Sequence, residues 1–126
     1  MKVLQIITTA YRATIEEQDD TVVWITHAMR NAGGQLDVLL RGDAVNYAVA
    51  MQDASGLTFG DWRQTQPPRL AADLAGLLEK GAKVHLVAED FADRGLGDVP
   101  VIDGIGRVGR KDLAKLWERY DQVWQW

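Results

Sequence analysis

The sequence predicts an α/β fold, three layers (α/β/α) built on a mainly parallel sheet of five strands. Three observations predict it. Short aliphatic and β-branched runs of strand length recur along the chain, and segments of helical period separate them. Connections of that length between strands suit crossovers in a parallel sheet, with helices on both faces. No internal repeat, low-complexity tract or interdomain linker interrupts the alternation, so residues 1–126 read as a single domain.

The first strand, Lys2–Thr8, is apolar and short enough to be buried on both faces. A polar turn leads to a helix ending near Ala32, with Val22, Ile25, Met29 and Ala32 on one face. Its acidic start (Glu16, Glu17, Asp19, Asp20) suits the positive end of a helix dipole. Two starts fit: Thr14 with Glu17 as a capping box, or an aspartate cap at Asp19 or Asp20. Gly33-Gly34 stops this helix. Leu36–Leu40 is the second strand, after which Asp43 can cap a short helix running to about Met51.

Gln52–Gln66 shows neither period and reads as a long loop carrying two lone aromatics, Phe59 and Trp62. Pro67-Pro68 opens a helix with Leu70, Leu74, Leu77 and Leu78 on one side, closed by Gly81. The third strand is Lys83–Val87, and a fourth lies within Val99–Val108. Lys111–Tyr120 is the last helix and Asp121–Trp126 the last strand. The predicted core is Val3, Leu4, Ile6, Val38, Leu39, Val84, Leu86 and Val123. Trp24 and Trp117 are expected to pack between helix and sheet, and Trp124 and Trp126 to share one face.

Composition excludes several functions. A formal net charge of −4 and a pI near 5.0 argue against nucleic acid or an anionic membrane as partner. No apolar run approaches the roughly 18 residues of a membrane span, and MKVLQIITTAYR reads as a strand and not as a signal peptide. A cytoplasmic location is expected. With no cysteine there is no disulfide, thiolate metal site or thiol redox motif.

Several motifs carry less than their letters suggest. Gly104–Gly109 spells G-x-G-x-x-G, but a dinucleotide fingerprint also needs a following helix and an acid about 20 residues on. That unit is not completed here, and the glycines read as a loop. Arg41-Gly42-Asp43 reads as a turn and cap. His27 and His85 have no ligand-spaced companions, so no metal is expected. No cofactor is expected, and there is neither a nucleophile elbow nor a phosphate-cradling loop.

What does carry chemistry is position. Ligands of open parallel sheets bind outside the carboxyl ends of the strands. The loops meeting there supply a candidate ligand pocket of Thr9, Tyr11, Arg12, Asp43, Asn46, Glu89, Asp90 and Arg94. Paired carboxylates can do acid–base work when burial separates their pKa values. In an acidic helix start they are also simply well placed. No catalytic residue is assigned. Phe59 and Trp62 have no core to enter and form a candidate oligomer contact.

The segments KVLQIIT, LLRGDAV, LLEKGAKVHLV, Arg94-Gly95-Leu96 and DLAKLWERYDQVWQW, in this order and spacing, resemble the DsrE/DsrF-like family of bacterial sulfur-relay proteins over nearly the whole chain. The resemblance implies a flavodoxin-like three-layer architecture and assembly as a homotrimer or hexamer. It also implies sulfur-relay partners, and a persulfide-carrying cysteine in the turn after the third strand. At that turn this chain has Val87, Ala88, Glu89 and Asp90. Only a thiolate can accept and pass on sulfane sulfur by exchange, so the carrier function does not transfer. Arg94 matches the family's arginine. The expected function is a non-catalytic DsrE-like subunit or binding module linked to sulfur metabolism. The alternative is a small-ligand binder or enzyme using the acid and arginine groups at the strand ends.

Overall fold

The computed structural model describes residues 1–11 and 19–126. Among them, five parallel strands form one sheet in the order β6-β5-β2-β1-β7, comprising β1 (Lys2–Ile7), β2 (Gln35–Leu40), β5 (Val84–Val87), β6 (Gly106–Val108) and β7 (Gln122–Gln125). A separate two-stranded antiparallel hairpin, β3 (Thr58–Phe59) and β4 (Trp62–Arg63), stands apart from it. The helices are α1 (Thr21–Asn31), α2 (Leu70–Glu79), α3 (Ala88–Asp93) and α4 (Leu113–Trp117), with 3-10 turns over Gly42–Ala48 and Arg110–Asp112.

The path of the chain explains the layers. From β1 through β2 and β5 to β6, every step moves the same way across the sheet. Right-handed crossovers therefore put α1 and α2 on one face. The step from β6 to β7 jumps back past β1, and the same handedness puts α4 on the opposite face. The larger core joins Ile7, Val38, Leu40, Val84 and Leu86 to Val22, Val23, Leu70, Leu74 and Leu77. The smaller one packs Leu4, Ile6, Leu39 and Val87 on Leu113 and Leu116. β1 and β2 are central, which is why their sequences are apolar at nearly every position and not alternating.

Several expectations are corrected. Val123 is 40% exposed because β7 is an edge strand and the α4 layer above its face is only five residues long. Trp24 and Trp117 are also exposed, on the outer sides of their helices. The helix face that enters the core is Val22, Val23 and Thr26, with Ile25 and Met29 half-buried and Ala32 exposed. Asp20 caps α1, its carboxylate accepting the backbone N–H groups of Val22 and Val23 at 2.8 and 3.2 Å; the alternative box of Thr14 and Glu17, with Glu16, lies outside the described residues.

Asp43 caps nothing, since the 3-10 turn it enters has no side-chain cap. Gln52–Gln66 contains the hairpin that two-residue strands could not announce by period. The helix after Pro67-Pro68 begins at Leu70, and the last helix divides into a 3-10 turn and α4.

Candidate functional site

At the carboxyl ends of β2 and β5 the structure gathers most of the expected polar residues into a closed network. β2 ends at Leu40, and Gly42 turns the chain with φ of +52°, a left-handed conformation that favours glycine. A Cβ there would lie 3.1 Å from the Thr8 carbonyl oxygen. This close approach lets the Gly42 N–H donate to Asp90 Oδ2 at 2.8 Å. β5 ends at Val87 and runs directly into α3, which places Glu89 and Asp90 in its first turn. Val87 is fully buried.

Two arginines close the network. Arg94 donates from Nε and a terminal nitrogen to Asp43 Oδ1 at 3.0 and 2.9 Å, and from its other terminal nitrogen to the Asp90 carbonyl oxygen at 3.0 Å. Arg110 donates to Asp90 Oδ1 at 2.6 Å and to Asp93 Oδ2 at 2.9 Å, while its backbone N–H donates to Glu89 Oε2. Asn46 donates its side-chain amide to the Asp43 carbonyl oxygen. Burial pushes the Asp90 carboxyl up, but Arg110 and the Gly42 N–H outweigh it and hold the group below the usual carboxylate value. Asp90, and after it Asp93, raise the pKa of Arg110 in turn.

A second group lies at the end of β1. Tyr11 has φ of +58°, the one non-glycine residue described with a left-handed backbone. Its N–H donates to the Tyr47 hydroxyl oxygen, its ring meets that of Tyr47 edge-on at 5.1 Å, and the Tyr47 hydroxyl donates to Asp20 Oδ2 at 2.7 Å. Burial first, then the bond to Asp20, raise the Tyr47 pKa far above that of a free phenol. A hollow of about 350 Å³ opens here, lined by Tyr11, Asp53, Leu57 and Gln64 among others.

Of the expected pocket residues, then, Asp43, Asn46, Glu89, Asp90 and Arg94 come together. Thr9 is exposed and takes no part in these bonds, Tyr11 sits with Tyr47 and Asp20, and Arg12 lies outside the described residues. Sequence reasoning missed Arg110 and Tyr47, and read Gly42 as a turn without the bond its N–H gives to Asp90. The available signal for Arg110 was that it follows the strand next to β5, so it emerges at the same end of the sheet. No group of three or more possible metal ligands occurs among the described residues, and no described helix is long and apolar enough to cross a membrane.

The strand order and the layers define a fold class: this chain has a DsrE-like fold. It is similar to the ychN protein from E. coli, whose crystal structure superposes with a TM-score of 0.73 at 18% sequence identity, over 99% of this chain and 98% of that one. No family model matches the chain, and no curated protein matches it.

Proposed function

We propose that this chain is a cysteine-free DsrE-like subunit, a single-domain cytoplasmic binding or assembly module associated with sulfur relay and not itself a carrier. The observation that carries the reading is the fate of the turn after β5. Val87, one of the two positions nearest the family's cysteine, is sealed in the core, and Asp90, the other, is engaged by Gly42 and Arg110. Neither can form a persulfide, because neither is a thiol.

The alternative, acid–base or ligand chemistry by the strand-end acids and arginines, draws less support. Asp43, Glu89 and Asp90 each already accept a bond from Arg94, Arg110 or Gly42, so the cluster is occupied with itself. Its proper description is a latch between the β2 and β5 ends.

Some DsrE-like assemblies mix cysteine-bearing with cysteine-free subunits, which gives such a chain a place. We infer that it associates as a homotrimer or hexamer, with Phe59 and Trp62 at the contact. The test of the sulfur reading is to combine the chain with a cysteine-bearing DsrE-like subunit, supply a persulfide donor, and record intact masses under native conditions. A mixed assembly with the sulfur adduct on the partner alone is expected. A stable sulfur adduct on this chain, or no association with any such subunit, would sink the proposal.

A further inference from the structure

The thinner face of the sheet carries a cleft of about 230 Å³ that the strand-end network does not use, lined by residues of β5, β6 and the α4 region. His85 is its floor residue by register. It pairs with Leu39 in the parallel β2–β5 ladder, and Leu39 belongs to the core on the α4 side. Lys115 and Arg119, four residues apart, line the same cleft with Leu116, and Asp112 is the one acid there.

The balance of groups in this cleft is uneven. Among the described residues, no carboxylate forms an ion pair with Lys115 or Arg119. Lys115 lies in α4 and Arg119 in the turn just past it, and like charges that line one cleft repel one another. His85 Nε2 is buried without a hydrogen-bond partner. Burial holds the ring's pKa below its ordinary value; Asp37 opposes this, while Lys83, Arg119 and Lys2 add to it. Nδ1 lies so close over Gly106 that a Cβ there would stand 2.8 Å away, so the bare backbone of β6 is what admits the ring. Arg107 adds no charge inside, because its guanidinium lies over the Phe91 ring, which belongs to the opposite core.

We propose that this cleft binds a small tetrahedral oxyanion, free or as the phosphoryl group of a small molecule. Charge sets the sign of the ligand: two cations without an acidic partner line this cleft in a chain whose formal net charge is −4, so the cleft is not a sample of a generally basic surface. Volume sets its size, since sites for drug-sized molecules run to about 300–1,000 Å³. The Arg119 fork suits two oxygens at once and Lys115 a third as a point charge. The anion relieves the repulsion between them and favours the protonated imidazole, which burial disfavours.

The test is titration of the full chain, followed by NMR of the histidine and backbone signals. The probes are inorganic phosphate and a phosphate monoester such as glycerol phosphate, with sodium chloride of equal ionic strength as the blank. Saturable shifts centred on His85 are expected, with the His85 pKa moving upward. Lys115→Gln and Arg119→Gln, both at exposed positions, should each weaken binding by about tenfold, the scale of one charge-assisted hydrogen bond. Arg69→Gln, ahead of α2, should leave it unchanged. Tighter binding of the monoester assigns the phosphoryl group of a larger molecule, and equal or tighter binding of phosphate assigns the free ion. No saturation beyond the chloride blank overturns the proposal. So does binding indifferent to both cleft substitutions, or an unmoved His85 pKa.

Discussion

Asp90 takes the Gly42 N–H on one carboxylate oxygen and Arg110 on the other, which ties the end of β2 and the turn after β6 to the start of α3. Because these partners hold its folded pKa below the ordinary 3.8, the linkage has a definite sign. The stabilisation is fully present above the unfolded value and is lost as pH falls through the lower, folded one. Arg110→Ala removes the stronger partner, so Asp90 should protonate earlier and the acid-unfolding midpoint, followed by circular dichroism, should move to higher pH. A midpoint that stays where it was would mean the ion pair, half open to solvent on its arginine side, contributes nothing. Asp43, Asp90 and Arg94 were legible as a cluster because residues after parallel strands must emerge at one end of the sheet. Arg110 was not, because it lies 20 residues from Asp90 behind glycines that read as loop.

At the scale of elements, α1 depends on one buried residue. Asp20 caps two backbone N–H groups and receives the Tyr47 hydroxyl, so a single carboxylate joins the start of α1 to the 3-10 turn after β2. Asp20→Ala should cost about 2 kcal/mol, through the lost cap and a phenol left unpaired. The measurement is the urea midpoint at unchanged m. A second helix start behaves oppositely. Burial, then contact with Asp19, push the Asp73 carboxyl in α2 up to about 7. With the folded pKa above the unfolded 3.8, the native state binds more protons between these values, and stability falls as pH rises through that window. Asp73→Asn should flatten the fall and leave the protein more stable than wild type at pH 8; an unchanged profile would refute the shift. The sequence could not choose between Asp19 and Asp20 as the cap, since both offer the same carboxylate and only burial against Tyr47 separates them. β1, β2 and β5 were legible because strands covered on both faces are apolar at most positions, on both sides of the pleat. The hairpin was not, because two-residue strands are too short to show a period.

At the scale of the whole molecule, the β3–β4 hairpin is the element that the main sheet does not hold; Leu57 and Gln64 bond to each other across its base. It belongs to no larger sheet, its strands are two residues each, and an isolated hairpin is marginal in water. Its two aromatics stack on each other with ring centroids 5.8 Å apart, yet Phe59 is 65% and Trp62 41% exposed. A stacked, exposed aromatic pair on a small ribbon is poorly used in a monomer and well suited to a pocket on a neighbouring subunit. The resemblance supplies the expected number, three or six. Truncating an aromatic at a buried contact commonly removes about 2 kcal/mol or more, so Phe59→Ala with Trp62→Ala should shift the assembly toward monomer at micromolar concentration. The subunit itself should survive, because neither residue belongs to either core. Light scattering coupled to size exclusion, with circular dichroism as the check on folding, separates the outcomes. A wild-type monomer refutes self-association altogether, and an unchanged mass in a folded double variant refutes the part assigned to the hairpin.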